Sequence, residues 1–340
     1  MSSTPPKSTA TVAVPESIEA QNYKMTKKSA VGLLLVALGS LFGSLMSTAV
    51  SHLGKTYKIK APTITFTRSV VNLVINLLCC WVVKANPVGP YKDGKKFLWV
   101  ILRGLFGGIQ ITCYFFAFTK IPVGDATTLT FIAPVLTGFL AICMLHEKWG
   151  YFDAAATILC FVGVIFVSKP DFFFHTGKSL NTTYVLIAFG GSIAAAIAYI
   201  AVRKVGPTVS VFVLINYILL FTLLINIFQS YLKLHCFPWP GANTPGMAWL
   251  WLVSTGFLGA GAQMCINRGL QLEKAGPATS MRFMDIVLSY VWQVMILHES
   301  VDTFSIIGAT LVSLCLILIG FKKWWYVRKA RLEYEQSFLK

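Results

Sequence analysis

Five ionisable side chains sit inside stretches that are otherwise apolar: Arg68, Arg103, Arg268, Arg282 and Asp285. At the centre of a bilayer each would cost roughly 2.5–3.5 kcal/mol, so each needs a partner, a water-filled cavity or a way out to the headgroups. Arg282 and Asp285 stand three residues apart on one helix and can pair with each other. Four arginines then face a single acid. Guanidinium groups offer forked donors that match carboxylate or phosphate, so the chemistry on offer is the holding of an anion. Asp285 is the one buried group suited to carry a proton.

Neutral polar residues extend the set. Gln110 and Tyr114 lie on one helical face, and Gln263, Asn267 and Gln271 lie on another, each spaced by four. Trp292 and Gln293 fall deep in a later apolar stretch. Buried amides usually satisfy one another or the backbone, but such groups also orient a polar ligand. The candidate substrate-binding set is therefore Arg68, Arg103, Gln110, Tyr114, Asn267, Arg268, Arg282, Asp285 and Gln293. The simpler reading makes Arg282–Asp285 a self-cancelling structural pair and lets Arg268 and Arg103 snorkel to lipid headgroups.

Enzyme-like strings fail on inspection. Gly177-Lys178-Ser179 has Phe172 where a phosphate-binding loop needs glycine. His146-Glu147 and His298-Glu299 are followed by Gly150 and Asp302, where a zinc helix needs histidine. Seven of the eight cysteines fall in apolar stretches and none forms a C-x-x-C pair, so they read as small apolar residues. No catalytic residue, metal site or cofactor is expected.

The elements that position these groups are apolar spans. The 340 residues are 56% hydrophobic and only 12% charged, with a mean hydropathy of +0.68. A soluble domain carries about a quarter charged residues, so the chain is an all-α integral membrane protein. Ten spans are predicted, near 31–50, 61–83, 97–119, 123–145, 151–168, 182–202, 208–232, 247–271, 276–297 and 303–321. The stretch Gly124–Glu147 recurs as Gly276–Glu299, and an offset of 152 holds from Leu98/Leu250 to Phe152/Phe304 with roughly a quarter of positions identical. The second copy comes five spans after the first. The halves are thus expected as inverted five-helix repeats around a central cavity, an arrangement typical of secondary transporters. Pro134 predicts a kink in the fourth span, and its counterpart Ile286 makes that kink one-sided.

Net charge is +16. With both termini cytosolic, seventeen lysines and arginines fall on that side and seven on the other. The basic balance is therefore topology rather than nucleic-acid binding. Residues 1–29 read as a disordered cytosolic tail with no signal peptide, 30–170 and 171–321 as the two repeats, and 322–340 as a basic cytosolic tail. Lys322-Lys323-Trp324-Trp325-Tyr326 reads as an interfacial anchor. Asn181-Thr182-Thr183 is a glycosylation sequon on the non-cytosolic side. The plasma membrane and secretory endomembranes fit equally.

Phe66-Thr67-Arg68-Ser69, Leu102-Arg103-Gly104, the Asp125-Ala126-Thr127 to Pro134-Val135 run and the terminal Glu147 and Glu299 resemble the EamA-type branch of the drug/metabolite transporter superfamily. The run from Arg268 through Glu273, Pro277, Arg282 and Asp285 to Trp292-Gln293 is similar to the G subfamily of solute carrier family 35. That family usually has glycine before the terminal glutamate, where this chain has His146 and His298. The resemblance covers all ten spans and implies transport of a small metabolite. The expected function is secondary transport or exchange of a small organic anion of the carboxylate type by alternating access. Export of amino acids or other neutral metabolites competes with it, as does a non-transporting membrane scaffold. The expected partners are a small-molecule metabolite, membrane lipid, a coupled proton or counter-substrate, and a second copy in a homodimer.

Overall fold

The computed structural model describes residues 18–89, 92–120, 123–147, 149–169, 182–234, 239–241, 244–297 and 303–337. Among them the regular elements are all helical. The first half holds α1 (Ile18–Thr56), α2 (Ala61–Val82), α3 (Gly94–Lys120), α4 (Val123–Thr130), α5 (Ala133–Leu145) and α6 (Tyr151–Ser168). The second holds α7 (Thr182–Val205), α8 (Val211–Leu234), α9 (Gly246–Leu272), α10 (Ala275–Ser280), a 3-10 turn (Met281–Phe283), α11 (Met284–Leu297) and α12 (Thr303–Ser337). Asn181, Cys236, His298, Glu299 and the Gly177–Ser179 string lie outside the described residues.

Nine helical stretches among the described residues are long and apolar enough to cross a membrane. They match nine of the ten expected spans. The remaining one, 276–297, is divided by the 3-10 turn and is not one continuous helix. Large apolar side chains stay exposed along the outside, including Trp81, Phe139, Phe228 and Ile317, as befits contact with lipid rather than water.

Packing is reciprocal between the halves. α1 lies on α9 while α3 lies on α7, α3 lies on α8 while α2 lies on α9, and α6 crosses α12. Small residues permit these approaches. Gly104 of α3 faces Tyr217 and Phe221 of α8, where an added Cβ would come within 2.8 Å of each. Its repeat counterpart Gly256 meets Val71 of α2 at 2.4 Å in the same sense. Side chains at either glycine would force the helices apart.

The expected kink is present but two-sided. Pro134 lacks the N–H that Thr130 would otherwise receive, and the helix breaks between Thr130 and Ala133. The second copy breaks at Met281–Phe283, which the 152-residue offset maps onto Leu129–Phe131, although it has no proline there. The first break is capped by side chains: Tyr114 Oη donates to the Thr130 carbonyl at 3.2 Å and Ser192 Oγ to the Leu129 carbonyl at 2.6 Å. The freed acceptors are satisfied inside the protein, as the membrane demands.

Both ends of the chain carry helix beyond the spans, where the N-terminal one was expected to be disordered. α1 begins at Ile18 and α12 continues to Ser337, so 18–29 and 322–337 are helical. Tyr23 stacks on Tyr334 at 5.7 Å and 8°, which gives each extension a partner.

Candidate functional site

α3 and α9 face each other across a cavity of about 60 Å³. Its polar lining comprises Arg103, Gln110, Tyr199, Gln263 and Arg282, with Ile218 and Ile266 as apolar walls. Arg103 is 2% exposed and donates from Nε and Nη2 to Asn267 Oδ1 at 3.3 and 3.1 Å. Asn267 is held in turn by donating Nδ2 to the Gln263 carbonyl at 2.7 Å and to its Oε1 at 3.1 Å. The expected polar face of the eighth span is thus a built chain of bonds behind one guanidinium.

Arg282 sits in the 3-10 turn and reaches Tyr199 rather than its sequence neighbour. Its Nη1 donates to Tyr199 Oη, and its guanidinium carbon lies 5.4 Å from the Tyr199 ring centroid. Gln110 Nε2 donates to the same hydroxyl at 3.4 Å. Asp285 Oδ2 is 4.0 Å from Arg282, and neither Asp285 Oδ1 nor Arg282 Nε has a partner. Asp285 lies against α1, where a Cβ added to Gly43 would meet its Oδ2 at 3.4 Å. The expected self-cancelling pair is therefore loose, because the turn swings Arg282 toward α7.

Four of the nine expected residues come together here: Arg103, Gln110, Asn267 and Arg282, with Asp285 adjoining. Three do not. Arg268 is exposed and donates to Gln271 Oε1 at 3.1 Å; successive helical residues differ by 100°, so the face that buries Asn267 turns Arg268 outward. Tyr114 caps the α4–α5 break. Arg68 is buried elsewhere, with Nη1 on Met46 Sδ at 3.1 Å. The Gln293 side chain lies outside the described residues. Tyr199 escaped the sequence reading; it directly follows the small-residue run Gly190–Ala198, and a tyrosine hydroxyl deep in that apolar span was the available signal.

One end of the bundle is closed by ion pairs, two of which cross between the halves. Arg203 Nε donates to Glu147 Oε1 at 2.6 Å, and Glu147 Oε2 accepts the Ala275 backbone N–H at 2.9 Å. Lys322 pairs with Asp153 at 2.8 Å. Buried Glu273 accepts Lys323 at 2.6 Å and Ser29 Oγ at 2.5 Å. All these residues belong to span ends that the charge count assigns to the cytosol.

Comparison with known proteins agrees with this architecture. The EamA-like transporter family profile matches residues 30–169 and 182–321. Solute carrier family 35 member G1 from Homo sapiens is 29% identical over 302 residues, covering 85% of this chain and 80% of its own. The pseudopaline exporter CntI of Pseudomonas aeruginosa is 24% identical over 295 residues, covering 86% and 97%. A crystal structure at 16% identity superposes with a TM-score of 0.71 over 86% of this chain and 97% of the other, which shows a shared fold.

Proposed function

Because the chain belongs to the EamA-like transporter family, we propose that it carries a small organic anion of the carboxylate type across a membrane by alternating access. The observation that carries the substrate class is the meeting of Arg103 and Arg282 in one cavity where, among the described residues, the one nearby carboxylate, Asp285, stands off at 4.0 Å. Two guanidinium groups with so little opposing charge favour an anion between them, and the neutral donors of Gln110 and Gln263 orient it. In this reading Ala275–Leu297 is the tenth span, broken at its middle, and the halves are inverted five-helix repeats. Asp285 is the carboxyl available for proton coupling.

Movement is implied by size. A cavity of about 60 Å³ is well below the ~300–1,000 Å³ of ordinary ligand sites, so cargo enters only when the helices part. The cross-half ion pairs Arg203–Glu147 and Lys322–Asp153 then act as the closed gate of one side. Two relatives named as a solute carrier and an exporter support cargo transport over a scaffold role.

Purified protein in liposomes tests this directly. Uptake of carboxylates from a mixed anion and amino-acid panel is expected, with Arg282→Gln and Arg103→Gln each weakening it. Uptake confined to neutral amino acids, or no uptake at all, would sink the anion reading.

A further inference from the structure

Arg282 and Asp285 are each left with an idle atom beside the cavity. Asp285 Oδ1 is buried and accepts nothing, and Arg282 Nε donates to nothing. The two side chains approach to 4.0 Å, between Arg282 Nη2 and Asp285 Oδ2. Standing three residues apart on the chain, they need only a side-chain rotation to close that gap. Arg282 instead directs Nη1 to Tyr199 Oη, on the cavity side. One guanidinium therefore stands between two acceptors: its own neighbour's carboxylate and whatever occupies the cavity.

The surroundings of Asp285 leave its charge to Arg282 alone. α1 presents Gly43, where an added Cβ would lie 3.4 Å from Oδ2 and 3.6 Å from Oδ1. On its own helix Ser289 donates to the carboxylate, and Trp292 Nε1 is turned to Ser44 Oγ of α1 at 3.0 Å. None of these groups titrates near neutral pH. Cys160 of α6, Cys315 of α12 and Tyr290 belong to the apolar cluster around Phe283 and Ile286. Beyond Arg282 stand Tyr199 and Arg103, which line the cavity with it. A buried carboxylate keeps its charge only while a cation is close.

We propose that Arg282 alternates between Asp285 and cargo, so that Asp285 takes up a proton when the anion binds and releases it when the anion leaves. The proposal rests on the anion-transport reading and assigns its coupling: carboxylate and proton cross together. An anion that draws Arg282 toward Arg103 strands Asp285, and a proton from solvent on Oδ1 removes the stranded charge. On unloading, the Arg282–Asp285 pair closes and that proton returns to solvent. Anion and proton cancel, so neither the loaded nor the empty carrier moves an extra buried charge.

The test uses the purified full-length chain in liposomes, with radiolabelled gluconate and succinate outside and a pH-sensitive dye trapped inside. At equal pH on both sides, an inward gluconate gradient should acidify the lumen. At steady state, gluconate should accumulate about tenfold for each pH unit of inward proton gradient, the ratio set by one proton per anion. Asp285→Asn should lose both effects while still exchanging labelled for trapped gluconate, and Asp285→Glu should restore them. A purely structural Asp285 would alter rates but leave the accumulation ratio of Asp285→Asn as in wild type, which overturns the proposal. Wild-type uptake that ignores the proton gradient, or is opposed by it, also overturns the coupling and leaves carboxylate transport standing, even if Asp285→Asn fails to insert. Neither uptake nor exchange of gluconate or succinate by wild type would overturn both readings.

Discussion

Phe131 and Phe283, equivalent residues of the two repeats, stack on each other with ring centroids 5.8 Å apart and planes 28° from parallel. In the proposed inverted arrangement, a residue that touches its own counterpart lies on the axis relating the halves. Both rings sit at helix breaks, and Phe283 is fully buried with Ile286, Val312 and Cys315 around it. The pair is therefore a contact through which the two halves pack on each other. Phe283→Ala should cost about 3–5 kcal/mol in thermal or denaturant unfolding, the range for a buried aromatic.

Tyr199→Phe keeps the ring under Arg282 but removes the oxygen that Arg282 and Gln110 share. Loss of a hydrogen bond from a charged donor is worth roughly 1.5–3 kcal/mol. The expected outcome is a fall in stability of that size, read by thermal unfolding, with wild-type membrane insertion.

Tyr114→Phe separates capping from cargo binding. It leaves the Thr130 carbonyl without its side-chain donor, which should lower stability by about 1–3 kcal/mol. Carboxylate affinity in liposome uptake should not change. An altered affinity would return Tyr114 to the binding set.

Arg203→Gln should loosen the end closed by Glu147. A cysteine placed at Ile111, in a background without native cysteines, should then label faster from the cytosolic side. The charge swap Arg203→Glu with Glu147→Arg should restore slow labelling. Equal rates in all three would mean that the pair does not hold the gate.

His146 occupies a left-handed conformation, φ 52° and ψ 29°, at the end of α5. That is where glycine ends a helix without strain, which accounts for the glycine usual at this position in proteins the sequence resembles. His146→Gly should raise stability by up to ~1 kcal/mol, within the 1–2 kcal/mol penalty of left-handed backbone. An unchanged or lower unfolding midpoint would refute this.

Much of this was legible from residues alone. The internal offset announced two halves, charges stranded in apolar helices led to Arg103 and Arg282, and a polar helical face led to Asn267. Arg268 was misplaced because charge was weighed without helical azimuth: one position past Asn267 is enough to face outward. The second helix break carried no proline, and a 3-10 turn leaves no signature in composition. Tyr199 and the Glu147–Arg203 pair depend on contacts between segments 56 or more residues apart, as with Arg203 and Glu147 themselves, and no local pattern encodes them.

The reciprocal packing of α1 on α9 and α3 on α7 bears on how the protein is made. When the first half leaves the ribosome, the faces of α1 around Gly39 have no neighbour until Ile266 and Ala262 are synthesised. Neither half can complete its own interior, so assembly waits for most of the chain. Each half expressed alone should be cleared by quality control, whereas the two co-expressed as separate pieces should rescue one another.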